Sequence, residues 1–149
     1  MSWNDLRKGR YSQLQGEYFI TFKTEANRKY FRDFKLACLF CQQIKINEMN
    51  HQCVWLAWVL MPDHFHGLVR LNSQVDLSVV VGSLKGRSAK TLNHSRKVKS
   101  KIWQTGFYDR ALRSGDDRKN IARYIVANPL RKNLVSSVSF YSFWDSVYL

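Results

Sequence analysis

No apolar run in this chain of 149 residues reaches the ~18 residues that a membrane span needs. The opening "MSWNDLRKGR" carries no apolar core of a secretory signal, so the expectation is a soluble cytoplasmic protein, at the nucleoid if it binds DNA. Repeats, linkers and low-complexity segments are also missing, and the length suits one domain with a proper core. Cysteine is sparse: Cys38, Cys41 and Cys53 are an odd number that cannot pair fully within the chain, which fits a reducing compartment. Acids are few. Eleven Asp and Glu stand against 24 Lys and Arg, a formal net charge of +13. That surplus points to a polyanionic partner, because neutralising phosphates releases condensed counterions. Membrane headgroups are the other polyanion, but no basic amphipathic helix stands alone to bind them.

What is present reads as a globular chain, 45% hydrophobic and 14% aromatic. "EYFITFKT" (17–24) is aromatic and β-branched, a strand. Residues 27–46 set Phe31, Phe34, Cys38 and Cys41 at helical spacing. The CxxC there, with His51 beyond it, admits a zinc site, but the helical pattern makes the two cysteines small core residues. "CVWLAWVLMP" (53–62) is a central strand ended by Pro62; Asp63 turns the chain, and "HFHGLVRL" (64–71) runs back as a hairpin. Leu77, Val80, Val81 and Leu84 mark a second helix. Residues 102–113 form a fourth strand or the loop into one. A third helix spans 114–129, with Ser114 as N-cap, Asp116 and Asp117 at its positive end, and Pro129 as its stop. The order β-α-β-β-α-β-α predicts an α+β fold: a ferredoxin-like antiparallel sheet with helices packed on one face. A basic arm (about 1–16) precedes this single domain and an aromatic tail (about 134–149) closes it.

His64 and His66 are two apart on a strand and therefore project from one face. Tyr124 and Asn128, four apart, share a face of the third helix at the border of its apolar stripe. A phenol at such a border is placed to act as a nucleophile, though with a pKa of about 10 it needs help at neutral pH. A metal ion held by two imidazoles would polarise a phosphodiester, and Asn128 would add an oxygen ligand. Mixed His and oxygen ligation with open positions suits Mg²⁺ or Mn²⁺. Each residue also has a plainer reading: a structural histidine pair, a tyrosine at the edge of a core, an asparagine ending a helix before proline.

"MPDHFHGLV" resembles the His-hydrophobe-His motif of the HUH single-strand endonucleases, and "YIVANPLRKNLV" resembles the tyrosine helix of their single-tyrosine transposase branch. With "WQTGFYDRALR" between them, "LRKGRYSQLQGEYFITFKT" before and "FYSFWDSVYL" after, nearly the whole chain is similar to the REP-associated tyrosine transposases. The resemblance implies a DNA transposase or endonuclease that cuts single-stranded DNA at hairpin-forming repeats and keeps the 5′ phosphate as a phosphotyrosine. It then rejoins strands without ATP, as a monomer or homodimer. By position, Tyr124 is the nucleophile and His64, His66 and Asn128 are metal ligands. Asp63 stands where many relatives have Asn and would orient His64 or add charge to the metal site.

For the DNA track, residues 84–101 hold seven Lys or Arg and no acid. Lys85, Arg87 and Lys90 on the second helix, Arg110 and Arg113 before the third, and Arg7, Lys8 and Arg10 in the arm are the candidate contacts. Trp3, Tyr11, Trp103 and Phe107 are candidate base-stacking rings, with core packing as their commoner fate. The competing function is a binding module for single-stranded nucleic acid with no chemistry, which the same sheet would support.

Overall fold

A computed structural model describes residues 16–149; the basic arm with Arg7, Lys8 and Arg10, and the rings of Trp3 and Tyr11, lie outside the described residues. Five strands form one antiparallel sheet: β1 (Glu17–Lys23), β2 (Cys53–Met61), β3 (His64–Leu71), β4 (Tyr108–Ala111) and β5 (Trp144–Ser146). Their spatial order, β4-β1-β3-β2-β5, contains the ferredoxin-like 4-1-3-2 arrangement. Helix α1 (Phe34–His51) connects β1 to β2, α2 (Leu77–Arg96) connects β3 to β4, and α3 (Arg118–Val126) with the short α4 (Asn128–Arg131) follows β4. Among the described residues no helix is long and apolar enough to cross a membrane.

Alternation along the strands divides the core in two. Tyr18, Ile20 and Phe22 of β1 and Phe65, Val69 and Leu71 of β3 point toward α1 and α2 and join one large cluster. Leu68 of β3 points the other way, into a cluster with Leu56, Ala57, Val59 and Met61 of β2 and with Ala122 and Ile125 of α3. Helices therefore do not all pack on one face: the two long ones cover the first face, and α3 lies on the second. Gly67 is required by the large cluster, since a Cβ there would come within 2.7 Å of the Trp55 ring. A β-bulge between Trp55 and Ala57 releases the Trp55 N–H from the ladder, and the Glu48 carboxylate accepts it at 2.8 Å.

The boundaries depart from the sequence pattern where side chains cap the backbone. α1 starts at Phe34, because the Asp33 carboxylate accepts the N–H groups of Lys35 and Leu36; residues 25–27 and 30–32 are single 3₁₀ turns. α3 is capped by Asp117, which accepts from the Asn120 N–H, and not by Ser114. Ahead of it, Arg118 holds the approach by donating to the carbonyls of Arg113 and Asp116 and to the Glu17 carboxylate. Pro129 does not stop the helix. The chain pauses at Ala127, and Pro129 sits in the first turn of α4, where its missing N–H is not needed. The aromatic tail is not a free appendage: Trp144–Ser146 pairs with β2 as the fifth strand, and the Tyr141 hydroxyl donates to the Leu60 carbonyl.

Candidate active site

The tight turn after β2 fixes the first histidine. Pro62 and Asp63 form the turn, and their carbonyls accept from Phe31 N–H (3.1 Å) and Thr24 N–H (2.9 Å), which ties the hairpin tip to the segment after β1. His64 and His66 then follow on β3 with side chains on the α3 face, their ring centroids 4.7 Å apart and nearly perpendicular. The Asp63 carboxylate lies 2.7 Å from His64 Nδ1, and Thr21 Oγ1 lies 2.7 Å from His66 Nδ1. Thr21 is the cross-strand neighbour of His66 in the β1–β3 ladder, so the sheet register itself supplies that partner. A carboxylate can only accept, so Nδ1 of His64 carries the proton of that bond and Nε2 is the ring nitrogen left for another partner. His66 presents Nε2 as well when Nδ1–H donates to Thr21. Burial, then the neighbouring His64 and the cations Arg131, Lys23 and Lys132, push the His66 imidazole down to about 3, which keeps it neutral.

Tyr124 and Asn128 meet this pair. The four residues line one open cleft of roughly 760 Å³, with Lys23, Lys29, Arg32, Arg131 and Lys132 around it and Asp63 as the one acid among its described lining residues. Tyr124 is 58% exposed although it belongs to a core-packed helix; its ring is held by the Arg131 guanidinium, 3.9 Å from the ring centroid. Arg131 also donates to the Tyr124 carbonyl at 2.7 Å. Asn128 is 3% exposed and lines the same cleft. Two imidazoles and an amide oxygen that line one cleft are a donor set that fits a divalent cation. Among the described residues no group of three His, Cys, Asp or Glu side chains is placed for a metal, so such a site rests on two imidazoles and an amide.

The candidate DNA contacts separate. Arg110 lines a second cleft that adjoins Tyr124, paired with Asp116 at 3.8 Å. Arg113 stands at the entry to α3, where its backbone is bonded to Asp116 and Arg118. Lys85 is diverted inward. Its ammonium donates to the carbonyls of Gln104 (2.8 Å) and Gly106, lies over the Phe22 ring, and is pushed down to about 8 by burial and by Lys101. Arg87 and Lys90 line a groove between α1 and α2, on the other side of the sheet from the histidines. Trp103 is no base-stacking surface: it is 5% exposed, stacked on Phe31, with its indole N–H on Ser88. Phe107 packs against the same core. Burial raises the Cys41 and Cys53 thiols to about 12, as for packed side chains.

Sequence reasoning missed Thr21 and the cations Lys23, Lys29, Arg32 and Arg131. Two signals were available. Thr21 and Lys23 share the parity of Phe19 on β1, and Arg131 lies seven residues after Tyr124, two helical turns on.

A family model described as IS200-like transposase matches residues 12–128, a span that runs through both histidines and Tyr124 to Asn128. The chain is 32% identical over 88 residues to the REP-associated tyrosine transposase of Escherichia coli (strain K12). That match covers 58% of this chain and spans 50% of the curated relative's length. A solved structure of a REP-associated tyrosine transposase, bound to a REP hairpin, superposes with a TM-score of 0.75 at 26% identity, covering 91% of this chain and 79% of that one. A second solved structure, from Deinococcus radiodurans R1, shares the fold with a TM-score of 0.57 at 20% identity, covering 76% and 92%. With the family model laid over four strands, the three longer helices and His64, His66, Tyr124 and Asn128, the chain belongs to the IS200-like transposase family.

Proposed function

We propose that the protein is a metal-dependent transesterase of single-stranded DNA, cutting and rejoining strands at hairpin-forming repeats. One observation carries this reading: Tyr124, from a helix near the end of the chain, opens into the same cleft as His64, His66 and Asn128. The hairpin-bound relative supports a hairpin substrate.

In the proposed reaction the Tyr124 oxygen attacks the phosphorus of one phosphodiester and gives its proton to solvent. The bond to the 3′ oxygen breaks, and that oxygen leaves as a hydroxyl after taking up a proton. The 5′ phosphate stays on Tyr124 as a phosphotyrosine. A 3′-hydroxyl attacking the same phosphorus reverses the exchange, and one phosphoester replaces another, so no ATP is needed. His64 and His66 through Nε2, with the Asn128 amide oxygen, would hold Mg²⁺ or Mn²⁺, which supplies positive charge to the phosphate oxygens during the displacement. Asp63 and Thr21 fix the two imidazole orientations. Arg131 holds the Tyr124 ring by stacking, and the surrounding lysines and arginines attract the strand.

The test is a covalent adduct. Incubation with a single-stranded hairpin oligonucleotide and Mg²⁺ or Mn²⁺, followed by a denaturing gel, is expected to give a shifted protein band. The band is expected to vanish in Tyr124→Phe and His64→Ala. Tight binding with no adduct on any of a panel of hairpins would make the protein a binding module. Cleavage that persists in Tyr124→Phe would make it a water-activating nuclease with a structural tyrosine.

A further inference from the structure

Tyr124 stands between two clefts. Beside the histidine cleft is a smaller one, of roughly 400 Å³, walled by Phe19, Tyr108, Ile121 and Tyr124, with Arg110 and Asp116 among its polar lining. We infer that this second cleft receives the unpaired nucleobase adjoining the phosphate that is cut, with Tyr108 as its stacking surface. The inference rests on the proposed reaction for which phosphate sits at Tyr124.

Three features carry it. First, Tyr108 is 58% exposed on the edge strand β4, a ring left open on one side and supported on the other by edge-on contact with Phe19, 6.5 Å between centroids. Second, Phe19 itself stacks on His66 at 5.8 Å, so the ring series Tyr108–Phe19–His66 ties the small cleft to the histidine pair. A phosphate held at Tyr124 thus has an aromatic-walled recess at its side, and a nucleotide is a phosphate with a flat π-face beside it. Third, the charge is wrong for a second phosphate. Asp116 and Asp117 share this lining with a single guanidinium, Arg110, already 3.8 Å from the Asp116 carboxylate. The first cleft has five cations to one acid. Backbone phosphates are drawn to the first, and the second is left for the base.

The probe is a single strand of about 12 nucleotides of mixed sequence, within the span of known single-strand sites, carrying 5-iodouracil at each position in turn. Bound to Tyr124→Phe protein and irradiated, it is expected to cross-link to Tyr108 from one position or two adjacent ones. In the same background Tyr108→Leu is expected to weaken binding by about tenfold, and Tyr108→Phe by less than about twofold, the usual range for loss or retention of one base stack. Absence of any cross-link at Tyr108, with unchanged affinity in Tyr108→Leu, would overturn the inference. Adduct formation by the wild type is measured in parallel. A Tyr108-dependent cross-link without any wild-type adduct sinks the proposed reaction and keeps the base cleft; an adduct without the cross-link does the reverse.

Discussion

On the face of the sheet covered by α1 and α2, Phe22, Phe40 and Phe65 are at most 2% exposed and interlock with Trp103 and Phe31 at centroid distances of 4.7 to 6.4 Å. On the other face, three residues of the same strands carry Thr21, His64 and His66, and the covering helix is short enough to leave Tyr124 exposed. The strands are common to both faces; the difference lies in which parity of side chain each presents. The first face supplies rigidity, and the second borrows it to hold polar groups in fixed positions without burying them beneath a long helix. If that division is right, side-chain changes on the two faces have separable consequences: stability on one, chemistry on the other.

The largest separation is expected at Tyr124. Removing one oxygen in Tyr124→Phe is expected to cut adduct formation by at least about a thousandfold, some 4 kcal/mol in barrier. The thermal midpoint should not move, because the ring and its Arg131 stack remain. Unfolding of Tyr124→Phe would break the comparison outright. The mirror experiment is Phe40→Ala, fully buried among four aromatic side chains on the helix-covered face. It is expected to cost about 3–5 kcal/mol in chemical denaturation. The fraction that remains folded should still form the adduct at the wild-type rate.

His66 joins the two properties. Its folded value of about 3 lies below the ordinary 6.5. Between those values the unfolded chain takes up a proton that the folded chain refuses, so the contribution to stability is complete above about pH 6.5 and declines as pH falls toward 3. The slope is at most about 1.4 kcal/mol per pH unit. Urea melts at pH 7 and pH 5 are expected to show this decline in the metal-free wild type and a shallower one in His66→Gln. Equal slopes would mean that His66 is not the acid-sensitive group of this face.

How much of this was legible beforehand follows from the range over which each feature is encoded. β1, β2, β3 and the two long helices carry their periodicity within themselves, and the antiparallel α+β sheet could be read from their order. The fifth strand could not: Trp144–Ser146 is three residues long, too short for alternation to register, and exists only because β2 offers an unpaired edge. The helix starts at Asp33 and Asp117 depended on which of several acids met an N–H, which spacing leaves open. At the site, His64, His66, Tyr124 and Asn128 were readable as pairs two and four apart and from the family resemblance. Thr21 was not, because its role comes from a cross-strand register with a residue 45 positions away. Lys85 shows the opposite failure. A charged residue in a basic run reads as a phosphate contact, but its position on the inner side of α2 delivers the ammonium to two backbone carbonyls.

That last contrast gives the finest test, since it compares cations alone. Each Lys or Arg that neutralises one phosphate of a single strand contributes about 0.7 to the slope of log K against log salt. Lys132→Met, in the histidine cleft, is therefore expected to weaken single-strand binding severalfold at low salt and to lower that slope by about 0.7. Lys90→Met, in the groove between α1 and α2, is expected to leave the slope for a plain single strand unchanged. Lys85→Met is expected to leave it unchanged too but to lower stability by about 1 kcal/mol, because two half-buried carbonyls lose their donor. A slope that falls in Lys90→Met and not in Lys132→Met would place the strand across the helical face. The cations around Tyr124 would then serve the site without guiding DNA to it, and the division of labour between the two faces would have to be redrawn.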